Sequence, residues 1–374
     1  MVTMQDVAER AGVTKQTVSN VIRGRGAVGP ATAARVRAAI EELGYTPNLV
    51  ARSLATGATR TVGLFVPTVT GSFYPAIVEE VEDVLDANGY HLLLCTTRLD
   101  GERAKRHLAG LTSRSVDALL IAGDRDLIDH LPLLAEASFP VALCAWETDA
   151  PDRFPVVTID YERAGFLAGR HLRELGHERV AVLASPDHGP RVAGFRRAFA
   201  ADGLTVPDEA VHTAPEPTPA GGFAAATTAL TADPGTTALF ATHDVLALGA
   251  LEAARAAGRS VPHDLSIVGH DDNPEVGVAR PALTSVAIPK REMAREAVEL
   301  LLRALTRSGS PANSIQLLRP ELVVRASTGP VGGRRPGPPA PPAAPAGGAA
   351  PAASSSAQRS SRAPAALDFR HAQS

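Results

Sequence analysis

Several apolar runs in the middle of the chain are followed, at once or after a short loop, by side chains that could hold a small molecule. Carboxylates accept hydrogen bonds from hydroxyl groups, a guanidinium donates five N–H bonds in a planar fork, and flat rings suit sugar or nucleobase faces. The pattern therefore predicts a small-molecule site, although an ordinary packing role is the alternative for the single tryptophan. The candidates are Phe73, Tyr74, Trp146, Arg191, His243, Asp244 and Asp271.

Catalytic and metal-binding chemistry fit the sequence less well. His243 and His270 lie beside aspartates, but without the spacing of a metal-ligand pair, so neither a metal nor a cofactor is expected. The string Gly24-x-Gly26-x-x-Gly29 spells the dinucleotide fingerprint, but it follows a helical pattern instead of a strand. Without a Walker loop, a nucleophile elbow or a His-Glu-x-x-His motif, we predict that the protein is not an enzyme. The two histidines lead to the hypothesis that ligand affinity depends on pH.

Apolar runs of strand length alternate with amphipathic helical stretches, such as 77–85 and 166–175, through most of the chain. This alternation is typical of parallel βαβ sheets, in which ligands bind beyond the carboxyl ends of the strands. We therefore expect the candidate residues to meet at those strand ends. The predicted strands span 62–66, 91–95, 118–122, 140–144, 180–184, 238–241 and 265–269.

The first 46 residues contain helical patterns only. Thr3 can cap a first helix, and Gly12 can adopt the positive φ of the tight turn that follows it. Thr14 can cap a second helix over 15–23, and Pro30 suits the first turn of a third. Two helices joined by a short glycine-containing turn, the second with one polar face, predict a helix-turn-helix unit.

The polar face of the second helix carries side chains that could read DNA. Lysine can donate to guanine, and glutamine or asparagine can pair with both edge groups of adenine. The alternative is that these side chains contact only phosphates, which position a protein without reading sequence. The face consists of Lys15, Gln16, Ser19, Asn20 and Arg23.

Charge is distributed unevenly along the chain. Residues 1–60 hold eight Lys and Arg against four Asp and Glu, whereas residues 61–330 hold 24 against 35. A basic N-terminal segment joined to an acidic domain is the charge distribution expected of a DNA-binding unit linked to a domain that binds another kind of ligand. Cys95 and Cys144 suit neither a disulfide framework nor a metal knuckle, and neither a signal peptide nor a membrane-spanning run is recognisable. We therefore expect a cytoplasmic protein without a membrane partner.

Two motifs near the N-terminus are highly specific. They read VTMQDVAERAGVTKQTVSNVIRG and ELGYTPNLVARSLATGATRTVGL, and through them the chain resembles the lac repressor/galactose repressor family from Val2 to Pro330. The resemblance implies a homodimer whose second helices lie in the major groove of a double-stranded, pseudo-palindromic operator. Many members have Arg where this chain has Asn20, so the operator sequence does not transfer. The expected DNA-contacting set is Thr3, Thr14, Lys15, Gln16, Thr17, Ser19, Asn20, Arg23, Asn48, Ala51 and Leu54.

A small-residue connector at 47–60 follows the headpiece. Asn48 can cap a short helix over 49–55 that is too brief to be stable alone. In the family the matching segment orders on DNA, and the leucine that corresponds to Leu54 wedges into the minor groove beside a small residue, here Ala51. The alternative is a plain linker in which Leu54 packs internally.

The resemblance implies a sensor domain of two Rossmann-like lobes, similar to sugar-binding periplasmic proteins. The chain should cross between the lobes near Thr158–Asp160, Ala287–Pro289 and Arg319–Pro320, and 321–330 match the closing strand of the family. Among the retained residues, Phe73 and Tyr74 keep an aromatic pair, Arg191 matches the arginine of an R-x-x-G-F segment, and Asp244 and Asp271 keep two acids. The departures are Gly71, Ala145, Trp146, His243 and His270.

The expected architecture is an all-α helix-turn-helix headpiece and an α/β sensor domain like the periplasmic binding proteins, followed by a disordered tail. We expect a transcriptional repressor whose operator affinity is controlled allosterically by a sugar or sugar-like effector. A solute-binding protein is the alternative, which the headpiece opposes. The expected boundaries are 1–46 for the headpiece, 47–60 for the hinge, 61–158 with 289–319 for the N-lobe, 159–288 with 320–330 for the C-lobe, and 331–374 for the tail.

Overall fold

The computed structural model describes most of the chain up to residue 332. The tail from residue 333 and the connector positions Asn48, Ala51 and Leu54 lie outside the described residues. Within the described part, no helix is long and apolar enough to cross a membrane. The described ranges are 2–23, 28–45, 58–111, 115–123, 127–134, 137–148, 153–306 and 314–332.

The N-terminal helices begin and end where the caps predict. Thr3 caps the first helix in a reciprocal capping box with Asp6, and Gly12 ends it with φ of 65°. The Thr14 hydroxyl accepts a hydrogen bond from the Thr17 amide at 3.2 Å, which caps the second helix. The helices are α1 (Met4–Ala11), α2 (Lys15–Arg23) and α3 (Pro30–Leu43). Their apolar faces bury one small core of Val7, Ala8, Ala11, Val18, Val36, Ala39 and Tyr45.

The remaining described chain forms two parallel sheets. The strand order is β11-β5-β4-β3-β1-β2 in the first and β12-β10-β9-β8-β6-β7 in the second, and among these pairings only β12 with β10 is antiparallel. The strands are β1 (Thr61–Val66), β2 (His91–Thr96), β3 (Ala118–Ala122), β4 (Val141–Cys144), β5 (Val156–Ile159), β6 (Val180–Ala184), β7 (Val211–Thr213), β8 (Ala238–Ala241), β9 (Ser266–Asp271), β10 (Thr284–Ala287), β11 (Ile315–Leu318) and β12 (Glu321–Val323).

Helices connect the parallel strands. The chain passes from the first sheet to the second at Asp160, returns at 288–289, and passes again at 319–320. The helices are α4 (Phe73–Ala87), α5 (Gly101–Leu111), α6 (Tyr161–Glu174), α7 (Gly189–Ala200), α8 (Pro219–Ala232), α9 (Asp244–Ala256), α10 (Pro274–Val278) and α11 (Lys290–Thr306), with 3₁₀ turns at Ile128–Leu134 and Asp208–Ala210. Because α11 packs on β3, β4 and β5, it belongs to the first lobe.

Candidate functional site

A cavity of about 200 Å³ lies where the ends of strands from the two sheets come together. Its lining comes from segments that follow β1, β4, β6, β8 and β9, as expected for parallel sheets. Of the residues selected from the sequence, Phe73, Tyr74, Arg191, His243 and Asp271 line this cavity. The sequence analysis missed several others that line it, namely Glu147, Tyr161, Ser185, Asp187, His188 and Asn273.

Arg191, on α7, forms the polar centre of the cavity. Its Nε and Nη2 atoms donate to the Glu147 carboxylate at 2.8 to 3.1 Å, and its Nη1 donates to the Thr242 carbonyl at 2.5 Å. Its guanidinium carbon also lies 4.7 Å from the centroid of the Tyr161 ring. Burial alone would lower the pKa of Arg191, but the carboxylates of Glu147 and Asp271 raise it. Arg191 therefore remains charged inside the protein.

The ion pair of Arg191 and Glu147 joins the two lobes. Glu147 follows β4 of the first sheet, whereas Arg191 lies on α7 of the second lobe. The side chains of Glu147 and Arg191 are each only 6% exposed. A second contact between the lobes lies at the rim, where the Ser72 hydroxyl donates to Glu275. No motif pointed to Glu147, but it stands only one residue beyond Trp146, in the strand-end segment that the sequence had singled out.

Asp271 and Asp244 lie in different positions relative to the cavity. Asp271 ends β9 with φ of 110°, a strained value for a residue with a side chain, and lines the cavity. Asp244 is buried behind it and accepts hydrogen bonds from the Asn273 amide at 2.7 Å and the Ser285 hydroxyl at 2.6 Å. A Cβ at Gly269 would lie 2.4 Å from the Asp244 carboxylate, so glycine leaves room for it. Asp244 thus supports the Asp271–Asn273 segment and does not line the cavity, in contrast to the expected ligand contact.

The two carboxylates have opposite pKa shifts. Burial and the negative charge of Asp271 raise the pKa of Asp244 to about 8. Burial would also raise the pKa of Asp271, but the hydrogen bond with His270, the histidines His243 and His270 in their protonated forms, and the positive charge of Arg191 hold it at about 2. Asp271 is therefore the ionised acceptor at the cavity wall.

His270 lies beneath the cavity and is fully buried. Its Nδ1 atom is 3.0 Å from Arg191 Nη1 and 3.1 Å from Asp271 Oδ1. Burial and the positive charge of Arg191 lower the pKa of His270 to about 4, so the imidazole is neutral at pH 7. Because the ring does not line the cavity, protonation of His270 bears first on stability.

We expect His270→Phe to flatten the dependence of stability on pH between 6.5 and 4. The unfolded chain takes up a proton at a histidine near pH 6.5, whereas folded His270 resists it until about pH 4, so folding loses stability as the pH falls through this window. Urea denaturation at pH 7 and pH 4 should show the wild type losing about 3 kcal/mol more than the variant. The exposed His91→Phe variant is the control, and equal slopes for all three proteins would contradict the assignment.

Aromatic rings form one wall of the cavity. Phe73 and Tyr74 meet edge to face, with ring centroids 5.0 Å apart, and the Lys290 ammonium lies 5.7 Å from the centroid of Phe73. Gly123 follows β3 with φ of 89°, and a Cβ there would lie 2.6 Å from the Tyr74 hydroxyl. The rings therefore present a fixed apolar surface to a bound molecule.

Two histidines also line the cavity, on segments of the second lobe. The rings of His188 and His243 have centroids 4.2 Å apart. His188 Nδ1 lies 3.0 Å from the Thr242 hydroxyl, and His243 Nδ1 lies 3.2 Å from the hydroxyl of Ser185. These contacts orient both imidazoles beside the polar centre of the cavity.

Trp146 does not line this cavity, in contrast to the expectation from the sequence. It is 2% exposed and packs in an apolar cluster of the first lobe with Leu143 and Phe154. The preceding Ala145 has φ of 51°, which interrupts strand alternation and turns the chain before the indole. Trp146 instead borders a second cavity of about 260 Å³.

The polar face of α2 is only partly exposed. Lys15 and Gln16 are exposed and Asn20 is half-buried, with Gln16 Nε2 donating to Asn20 Oδ1 at 3.0 Å. Ser19 is 9% exposed, unlike the expected polar-face residue, because it adjoins the buried Val18 at the edge of the apolar face. The Arg23 side chain lies outside the described residues. The exposed part of this polar face therefore lies at Lys15 and Gln16, in the first turn of α2.

Comparisons with known proteins agree with this arrangement. The profile of the "Bacterial regulatory proteins, lacI family" matches residues 3–48, and a "Periplasmic binding protein-like domain" matches residues 170–328. The HTH-type transcriptional repressor PurR of Proteus mirabilis is 34% identical over 333 residues, which cover 87% of this chain and 97% of that protein. The chain therefore belongs to the lacI family, whose members are DNA-binding transcriptional repressors and not enzymes.

Two solved structures are similar to this chain over most of its length. The lac repressor dimer bound to operator and the anti-inducer ONPF has a TM-score of 0.78 at 28% identity, covering 88% of this chain and 99% of that one. The complex of the transcriptional regulator CelR with cellobiose has a TM-score of 0.66 at 33% identity, covering 87% and 100%. The predicted fold, a helix-turn-helix headpiece with a two-lobed α/β domain, is thereby confirmed.

Proposed function

We propose that the protein is a homodimeric repressor that reads a pseudo-palindromic operator through the α2 helices of its two subunits. The observation that carries this proposal is the capped helix-turn-helix unit with Lys15, Gln16 and Asn20 at one polar face. The similar lac repressor structure is a dimer bound to operator, which supports the same assembly here. Two-fold symmetry of the protein requires two half-sites of matching symmetry in the DNA.

The effector in this proposal is a sugar or sugar-like molecule held between the lobes. Its flat faces would pack on Phe73 and Tyr74, and its hydroxyl groups would donate to Asp271. The similar CelR structure contains cellobiose, which supports a carbohydrate ligand. Because the cavity takes its walls from both lobes, a ligand there stabilises one relative arrangement of the lobes over another.

Effector and operator are then coupled through the dimer. A change in lobe arrangement alters whether the two connector segments, including Leu54, can pair in the minor groove. Coupling is reciprocal, so the effector changes operator affinity by the same factor, typically 5- to 150-fold, by which operator changes effector affinity.

The preferred DNA duplex is the one that the wild-type protein enriches from a random pool. Asn20→Ala is expected to weaken binding to it by about 10- to 100-fold, because a base-edge contact of Asn is worth about 1 to 3 kcal/mol. The variant also removes the acceptor that orients the Gln16 amide. Fluorescence anisotropy against the preferred duplex and a scrambled duplex measures both affinities. Asn88→Ala, at an exposed asparagine of the sensor domain, is the matched control.

Binding to the scrambled duplex should change by less than about twofold, since phosphate contacts carry non-specific affinity. An equal loss on both duplexes would show that Asn20 contacts only phosphates and would contradict base readout by this residue.

A further inference from the structure

Asp117 holds the described end of the connector, residues 58–60, against the first lobe. This half-buried aspartate lies just before β3, and its carboxylate accepts three hydrogen bonds from the connector. The Thr59 amide and hydroxyl donate to Oδ1 at 2.7 and 2.8 Å, and the Arg60 amide donates to Oδ2 at 2.8 Å. Both carboxylate oxygens therefore bind two consecutive residues of the connector.

The backbone at Arg60 gives this attachment a definite direction. Arg60 has φ of 54°, in the left-handed region that a residue with a side chain keeps only when its surroundings hold it there. Its carbonyl accepts a hydrogen bond from the His91 amide at 2.8 Å, and its guanidinium carbon lies 5.1 Å from the centroid of the Tyr90 ring. The connector is therefore held in one orientation where it joins β1.

The attachment lies on the central part of the first sheet. Strands β1 and β3 are neighbours there, with Val62 opposite Ala118, and the Asp117 amide donates to the Thr61 carbonyl at 2.8 Å. These residues stand at the amino ends of the two strands, whereas the cleft cavity lies beyond the carboxyl ends. Because a packed lobe moves as a rigid body, a rotation of the first lobe turns the end of the connector with it.

We propose that Asp117 is a positioning residue for DNA recognition: it fixes the direction in which each connector leaves the sensor domain and thereby sets the distance between the two half-sites that the dimer binds. This inference rests on the proposed reading of a pseudo-palindromic operator by a homodimer. In a symmetric dimer, half-site spacing follows from where the two headpieces are held. A connector that swings at its attachment spreads each headpiece over more positions, so the dimer tolerates more spacings and binds each of them less tightly.

The test measures the preferred half-site spacing with full-length protein and does not require an effector. Duplexes carry the half-sites that the wild-type protein enriches from a random pool, with the central spacing unchanged, shortened by one base pair or lengthened by one or two. Each added base pair moves a half-site by about 3.4 Å and turns it by about 34° around the DNA axis. We expect the wild type to lose at least about tenfold in affinity on each altered spacing, because the second headpiece no longer meets its half-site.

Asp117→Ala removes all three hydrogen bonds to the connector. It should weaken binding at the original spacing by about tenfold, while an altered spacing costs it less than about threefold more. Its affinity for a scrambled duplex should stay within about twofold of the wild type, since phosphate contacts of the headpieces supply that affinity. Asp117→Asn replaces one acceptor oxygen by an amide group that only donates, so it should show the same change at smaller size even if the alanine variant fails to fold.

Asp100→Asn is the matched control. Asp100 belongs to the same lobe, and its carboxylate also accepts a hydrogen bond from a backbone amide, that of Arg103 at 3.1 Å, but it does so at the start of α5. This variant should keep the spacing preference of the wild type. Equal spacing preferences for the wild type and both Asp117 variants would overturn the inference and leave the proposed operator reading intact. If the wild type enriched no symmetric site, the proposed function would fail, and the inference would fail with it.

Discussion

Arg191→Met should lower the free energy of unfolding by about 3 to 5 kcal/mol, the usual cost of breaking a buried ion pair by removing one partner. Methionine roughly fills the space but removes the buried positive charge that the carboxylates of Glu147 and Asp271 share. The Thr242 carbonyl and the face of Tyr161 lose their contacts as well. Urea denaturation followed by the fluorescence of Trp146, the single tryptophan, reports directly on the first lobe.

The matched control for this prediction is Arg255→Met. Arg255 pairs with Glu252 one turn away on α9, but their side chains are 77% and 61% exposed. An exposed pair of this kind contributes about 0 to 1 kcal/mol. If Arg191→Met cost no more than Arg255→Met, the cluster around Arg191 would not stabilise the fold as its burial indicates.

Gly194→Ala is expected to destabilise the second lobe by about 2 to 3 kcal/mol through overpacking of two helices. α6 and α7 approach so closely that a Cβ at Gly194 would lie 1.8 Å from the Glu162 carbonyl oxygen. The facing Gly165 is equally tight, since its Cβ would lie 1.9 Å from the backbone oxygen of Arg191. Because α7 carries Arg191, a shift of this helix also disturbs the cavity.

Gly110→Ala provides the comparison, because Gly110 lies within α5 and a Cβ there would meet nothing within 4 Å. Alanine in an open helical position should raise stability by about 0.5 to 1 kcal/mol, since glycine has more conformational freedom to lose on folding. Denaturation of both variants measures the difference. Equal effects of the two substitutions would contradict close packing of α6 on α7.

Much of the fold was predictable because local signals agreed with the tertiary structure. The caps at Thr3 and Thr14 and the turn at Gly12 fixed the headpiece helices. All seven predicted strands form, with their ends shifted by at most two residues. The strands that sequence reasoning missed are only three or four residues long, namely β5, β7, β10 and β11, whereas β12 lies within the predicted closing strand at 321–330.

One expectation about the strands was too simple. Apolar runs were expected to be buried on both faces, but Leu93 and Leu94 of β2 are 37% and 38% exposed. β2 is the edge strand of the first sheet, so only one neighbour covers its residues. Apolar content alone does not distinguish an edge strand from a central one.

The cavity was predictable in part, because the strand-end rule places segments but not side-chain directions. It located Phe73, Tyr74, Arg191, His243 and Asp271 at one cavity. It could not foresee that the turn at Ala145 would direct Glu147 to the cavity and Trp146 to the core, nor that Asp244 would bond to the neighbouring backbone. Such directions depend on backbone conformations and partners that lie far apart in sequence.

The central claim, that the headpiece reads a symmetric DNA sequence, is tested most directly by selection of bound duplexes from a random pool with purified full-length protein. We expect enrichment of a two-fold pseudo-palindrome. Asn20→Ala should reduce the base preference within each half-site of the enriched sequences. Leu54→Ala should lower the enrichment of the whole site if the connector leucine wedges into the minor groove. The same selection is repeated with small molecules extracted from cells, because a corepressor would be needed if the free protein binds weakly. Enrichment of a symmetric site in either selection supports the account, and the absence of any enriched sequence in both would contradict it.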